Sequence, residues 1–552
     1  MIQLPPETRR VGRPYLPVAV AALAFLLMAT VVSPVPREQE TIAGPVDTPF
    51  GTPVDEGVPT EGTAGPDGSP AGGSSPQSEA GGPEGASPET TQPVAGGGVQ
   101  RCTDRELQVP GDPYSPPCLT FSGSNGGATH VGVTEDEIVV TIRELEGPSA
   151  AEIFSDISGE NVSSSDEAVK NTLFALGEYF QTRYQFYGRT LRFEFFKGEG
   201  NGASELLGGG KEKALADSQR AVEKGAFADL TGITLPYADA LSKKGIVNIG
   251  APYPSRQWFV ERRPYAWSLF PDGTIVSEAA VTAIVARLRG QETAEYAGPS
   301  LRGKPRVYGL VAPENAEYQE SVNRFIEEVE RNGFDIAINL KYKLDISSMP
   351  NQASNIIAQL KDKGVTTVIC ACDPVMLALG MTPKANEQGY EPEWSTGGLA
   401  FVEQDIVGQL IDQEQWSRAF GIAFNAESEV LGASFPYRAF KSIRPDDEPA
   451  FGVEIVYYQL QLLALGIHMA GPNLTPQTFE AGLFQYPGGF GPQGTWGFGE
   501  GDYTPTDDFR EIWWDPDKIS PQNNKPGAWV QVGGDRYFPG NMPAGPAPFF
   551  AR

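Results

Sequence analysis

From Val131 onward the chain alternates between short runs of β-forming residues and amphipathic helical runs, joined by connections of a few residues. EIVVTIREL is followed by a helix whose Val169, Leu173, Leu176 and Phe180 make one apolar stripe, and then come TLRFEFF, the helical KEKALADSQRAVEKG, AFADLTG, PYADALSKKG and IVNIG. A second series resumes after YAWSLFPDG, with a helical VSEAAVTAIVARLRG, the strand PRVYGLVAP, a helix stopped at Gly333, INLKYKL, NQASNIIAQLKDKG, VTTVICAC and AFGIAFN. Strand and helix in strict succession demand a parallel sheet covered on both faces, because parallel strands need helical crossovers. A series of roughly 450 residues exceeds what one core serves, so two lobes are expected.

The residues before this series set its compartment. Arg9, Arg10 and Arg13 precede an uncharged apolar run from Leu16 to Val32, which reads as an export signal. Its length of about 17 residues suits either a short membrane span or the core of a cleaved signal. No Ala-x-Ala triplet closes it and Pro34 follows Ser33, so an uncleaved anchor with the N-terminus inside is the expectation. Residues 35–100 consist mainly of Gly, Pro, Ser, Thr and Glu with Phe50 as the one aromatic, a composition expected to form a disordered tether. The formal net charge of −28 argues against a nucleic-acid partner.

In an exported chain cysteines pair. Cys102 and Cys118 enclose a loop rich in Pro and Gly and are expected to form a disulfide that ties down an N-terminal extension, residues 101–130. Cys370 and Cys372 stand two apart at the end of a buried strand. They are expected as free buried thiols, with a strained disulfide or a ligand contact as the alternatives. The chain has only His130 and His468, so neither a metal site nor another cofactor site is expected.

The segments VGVTEDEIVV, GPSAAE, TGITLPYADALSKKGIVNIGAPYPS, YAWSLFPDG, RVYGLVAPENAEYQESVNRFIEEVERNGF and VTTVICACDPVMLALGMTPKANEQGYEPEW occur in the order found in type I periplasmic binding proteins. Over about residues 130–535 the chain resembles the branched-chain amino acid and amide-binding branch of the substrate-binding proteins of ABC transporters, in an actinobacterial style. The resemblance implies an α/β fold of two Rossmann-like lobes with parallel sheets, joined by three hinge crossovers. The lobes would be residues 131–267 with 427–487, and 270–425 with 490–536, with residues 1–34 as signal or anchor and 537–552 as a tail. YAWSLF and FNAES would be two of the crossovers, and GTWGFGEGD would follow the third. The implied partners are a small-molecule ligand, such as an amino acid or amide, and the permease of an importer.

Ligands of parallel α/β sheets bind beyond the carboxyl ends of strands. In the first lobe that points to Gly232, which ends AFADLTG, and to Thr234 just after it, where family members use a hydroxyl to hold a carboxylate; capping of the next helix is the competing role for Thr234. Tyr253 and Ser255 follow IVNIG, in a loop where relatives often carry a threonine that is here Pro252. Ser149 belongs to the turn EGPSA, residues 146–150, which resembles the family's ligand-proximal turn, a purely structural turn being the alternative. In the second lobe Tyr318 matches an aromatic that family members place in the cleft, and Asp373 is expected either to meet a ligand cation or to cap its helix. Trp258 and Trp267 are expected to pack. His468, on an apolar helix, is also expected to be packed. No nucleophile elbow, zinc-protease motif or Walker loop is present, so a non-enzymatic receptor is expected. A sensing ectodomain of the same fold, without transport, is the alternative.

Overall fold

Strand β1 (Glu137–Glu144) is buried along nearly its whole length instead of on alternate residues, as a strand covered on both faces must be. It pairs in parallel with β2 (Thr190–Lys197) on one side and β3 (Ala228–Asp229) on the other, and β4 (Val247–Ile249) and β5 (Ala266–Trp267) continue the sheet. The order is β2-β1-β3-β4-β5. The second sheet repeats it. There β6 (Tyr308–Pro313) lies between β7 (Ile336–Tyr342) and β8 (Thr367–Cys370), followed by β9 (Glu393–Thr396) and β10 (Ala419–Ala423), all parallel. A short antiparallel pair, β11 (Gly489–Gly491) with β12 (Gly494–Trp496), stands apart. The second sheet ends in β13 (Phe509–Ile519) and β14 (Pro526–Tyr537), which are antiparallel, so it is mixed where sequence reading expected only parallel strands.

The structure, a computed structural model, describes residues 106–145, 165–206, 208–345, 348–430, 432–546 and 549–550. The anchor, the tether, Cys102 and Ser149 lie outside them. Among the described residues no helix is long and apolar enough to cross a membrane.

The helix Val453–Ala470 is buried over most of its length and packs in the core of the first sheet, with Leu460, Leu463 and Ile467 beside Val247 and Phe227. Gly466 is obligatory in it, since a Cβ there would collide with the Phe479 ring of the helix Pro476–Gln485. His468 is fully buried on the same helix: Nδ1 accepts from the Gln185 N–H at 2.9 Å and Nε2 donates to the Pro117 carbonyl at 3.0 Å. Burial lowers its pKa to about 4. Trp258 and Trp267 also pack in this core. The chain passes between the two sheets three times: after Trp267, after Ala423, and between Tyr503 and Phe509.

Tyr114 fixes the N-terminal extension to the segment that leads toward the last of these passages. Its ring lies 5.3 Å from Trp496, its hydroxyl accepts from the Gln493 N–H at 2.6 Å, and its carbonyl accepts from the Tyr486 hydroxyl at 2.9 Å. Cys118 is disulfide-bonded. The expectation of free thiols at Cys370 and Cys372 is corrected, because the two are joined to each other. Two residues of extended strand span about 6.8 Å, the upper end of what a disulfide bridges, but β8 ends at Cys370 and the Cα atoms lie 4.9 Å apart.

Candidate functional site

Each sheet has one place where neighbouring strands lead their helices to opposite faces, between β1 and β3 in the first and between β6 and β8 in the second. Such switch points open a crevice at the strand ends, and ligands settle there. In this protein the two differ.

The first is filled by the chain itself. Arg143, near the end of β1, has its guanidinium within 2.9 and 2.8 Å of the two Glu205 carboxylate oxygens and 3.3 Å from Asp217, all inside the protein. Its other face lies 3.5 Å from the centre of the Tyr237 ring. Thr234 is buried here, and its hydroxyl donates to Glu205 and accepts from no N–H of the helix that it begins. Gly232 comes close to the Asn248 side chain. Below them Asp229 accepts from both hydroxyls of Thr141 and Thr231, each at 2.7 Å, and from Tyr237 at 3.0 Å; burial raises its pKa. Neither Gly232 nor Thr234 borders a described cavity. Sequence reading passed over Arg143 and Glu205; the signal was a charged residue inside the apolar run VVTIREL.

The second switch point is open. A cavity of about 130 Å³ lies between the ends of β6, β8, β9 and β10 and the helices Gly273–Leu288 and Ala316–Arg331. Tyr318 and Asp373 border it from the second sheet's side, and Tyr253 reaches it from the loop after β4. Most of the remaining lining is apolar, including Val276, Leu310, Phe325 and Ile369. The Asp373 carboxylate caps the next turn, accepting from the Val375 N–H at 2.8 Å and the Met376 N–H at 3.1 Å, and also accepts from the Tyr342 hydroxyl at 2.6 Å. Burial pushes its pKa up to about 6, and burial likewise raises the Tyr318 phenol. Ser321 is the residue sequence reading missed: it borders the cavity, is 7 % exposed, and its hydroxyl has no partner among the described residues. A buried donor without a partner costs about 1–3 kcal/mol, which a ligand's acceptor would recover.

The two halves meet beside this cavity. The Tyr253 hydroxyl accepts from the Ala400 N–H, its ring lies 5.7 Å from Phe270, and Phe270 lies 5.6 Å from Phe401. Ser255 caps its own helix by accepting from the Trp258 N–H at 3.3 Å, and donates to Glu320 at 2.6 Å across the same divide. Tyr253, Ala400 and Phe401 are three of the six non-glycine residues with positive φ among those described. That backbone is costly and collects where contacts over-determine it, often at ligand clamps.

Two α/β sheets of repeated order, three passages between them and a cavity at their junction define the fold of the type I periplasmic binding proteins, and solved structures of that class have it. One is the solute-binding protein of an ABC transporter from R. palustris in complex with 4-hydroxybenzoate, at TM-score 0.51 and 13% identity, covering 73% of this chain and 98% of that one. Another is the leucine-, isoleucine-, valine-, threonine- and alanine-binding protein from Brucella ovis in its closed conformation, at TM-score 0.51 and 12% identity over 74% of this chain and 96% of that one. A third is a solute-binding protein from Rhodopseudomonas palustris BisB5 in complex with 3,4-dihydroxy benzoic acid, at TM-score 0.50 and 10% identity over 73% and 98%. No family model matches the sequence, and no curated protein does.

Proposed function

We propose that this protein is an extracytoplasmic substrate-binding protein that captures a small ligand between its lobes and delivers it to the permease of an ABC importer, in the branched-chain amino acid and amide branch and of actinobacterial type. The observation that carries the reading is the unpartnered Ser321 hydroxyl in a mostly apolar cavity at the one open switch point. A cavity of about 130 Å³ has room for roughly one aromatic ring or a branched aliphatic side chain. The solved neighbours named above hold hydroxylated benzoates or are named for leucine, isoleucine, valine, threonine and alanine, which supports a ligand of that size with one polar end. Ser321 and Tyr318 would hold that end, and Tyr253 would close over it from the other half. The reading includes an N-terminal membrane anchor and a Cys102–Cys118 disulfide.

A thermal-shift screen of aliphatic amino acids, amides and hydroxybenzoates, followed by calorimetry on the hit, tests this. Ser321→Ala is expected to weaken the hit's binding by about 1–3 kcal/mol, and saturation is expected to lower the radius of gyration in small-angle scattering. A hit whose affinity is the same in Ser321→Ala and Tyr318→Ala sinks the placement.

A further inference from the structure

A second and larger cavity, of about 570 Å³, lies on the far side of the Phe270–Phe401 contact. Its size is within the ordinary range for small-molecule sites. It takes residues from both halves: Gln404 and Gln522 on one side, Ser434, Glu454 and Tyr458 on the other, and the passage Phe424–Val430 between them. Its charge is one-sided. Glu427, Glu429 and Glu454 border it with no ion pair among the described residues, Glu448 is paired with Lys441 at 2.9 Å, and no lysine, arginine or histidine lines it. The basic groups behind the wall are engaged elsewhere, since Arg510 donates to the carbonyls of Asn425 at 2.8 Å and Ala426 at 2.9 Å, and Arg536 to that of Phe424.

Aromatic rings supply the rest of the wall, among them Phe270, Phe424, Tyr458 and Trp496. Two lining residues carry buried polar atoms without partners among those described: Trp496 Nε1, on a residue only 2 % exposed, and Gln522 Oε1. The carboxylates at one opening cost nothing to keep in water, but Glu454 is half-buried, and burial raises its pKa although a backbone N–H and the Ser434 hydroxyl, at 3.2 Å, donate to it. A cation inside this enclosure meets carboxylates and the negative faces of aromatic rings together, which is the pairing that selects organic ammonium groups. An anion would meet the repulsion of those carboxylates with no basic side chain to offset it. The carboxylate grip expected from the first lobe is absent too, because Glu205 already occupies Arg143 and Thr234.

We infer that this cavity is a binding site for a small organic ammonium ion, separate from the cavity that Ser321 borders. Its cation sits between Glu454 and the rings of Phe270, Phe424 and Tyr458, and Trp496 Nε1 and Gln522 Oε1 take the ligand's acceptor and donor.

The probes are choline and 2-phenylethylamine, each titrated by calorimetry into the intact protein beside its uncharged isostere, 3,3-dimethylbutan-1-ol and 2-phenylethanol. At least one cation is expected to bind saturably, with its isostere weaker by about tenfold or more, the order of one desolvated charge contact. Glu454→Gln is expected to weaken the cation by a similar factor, and Ser321→Ala to leave it unchanged. Since Glu454 also opens a helix, the exposed double variant Glu427→Gln, Glu429→Gln provides a second reading through a several-fold loss that disappears at high salt. Failure of both cations to bind, equal affinity for cation and isostere, or a loss in Ser321→Ala equal to that in Glu454→Gln would overturn the assignment.

Discussion

The Tyr253 hydroxyl accepts a hydrogen bond from the Ala400 N–H at 3.1 Å, and both residues hold left-handed backbone, with φ of 62° and 53°. A side chain at such an angle costs about 1–2 kcal/mol that glycine does not incur. Ala400→Gly is therefore expected to raise stability by about 1 kcal/mol after the entropy of glycine in the unfolded chain is subtracted. Urea denaturation checks it, and a lower midpoint would show that Ala400 is not strained.

Thr234 gives its hydroxyl to Glu205, so its truncation leaves a buried carboxylate one donor short. Thr234→Ala is expected to cost about 1–3 kcal/mol of stability and to leave the affinity of any ligand of the Ser321 cavity unchanged. The comparison of urea midpoints with calorimetry separates the two effects.

Glu403 lies beside the passage after β10, where Asn425 donates to one of its oxygens at 2.6 Å and the other has no partner among the described residues. Burial pushes its carboxyl up to about 7 from 4.5. Between those values the folded chain binds more protons than the unfolded one, so stability falls as pH rises from 4.5 to 7, by about 3 kcal/mol in all. Glu403→Gln is expected to remove that slope, making the variant more stable than the parent at pH 8 and equal to it at pH 4.5.

His468 works in the opposite direction. Its folded value of about 4 lies below the unfolded 6.5, so the unfolded chain binds more protons within that window, and stability present above pH 6.5 is lost as pH falls toward 4. His468→Gln keeps one donor and one acceptor without a titrating group. The parent is expected to lose about 3 kcal/mol relative to this variant between pH 6.5 and 4. Parallel stability profiles would contradict the burial of a neutral imidazole.

The described residues contain no free cysteine. Thiol labelling without reductant is expected to modify none of the chain's four cysteines even in denaturant, and all four after reduction. Labelling of Cys370 or Cys372 in unreduced, denatured protein would show that they are not joined.

Residues after strands were the most readable part of the site. Tyr253, Tyr318 and Asp373 border one cavity because each follows a strand of a repeated order, and strand ends are legible from alternation alone. Ser321 was not legible, since a serine on an amphipathic helix reads as solvated until the packing of that helix is known. Nor was Glu205, which is 62 residues from Arg143 and meets it only because β2 lies next to β1. Cys370 and Cys372 depended on the residue at which β8 stops, which alternation alone does not fix.

The attachment of Tyr114 bears on how the molecule carries a mechanical load. Tension arriving along the chain from the N-terminal side enters an extension held at two places, Gln108 on the Arg183 carbonyl at 2.7 Å and Tyr114 on Tyr486, Gln493 and Trp496. Tyr114, Tyr486 and Trp496 all belong to the core of the first sheet, so a pull from that direction is taken up by the first half, just ahead of the point where the chain crosses to the second sheet for the last time.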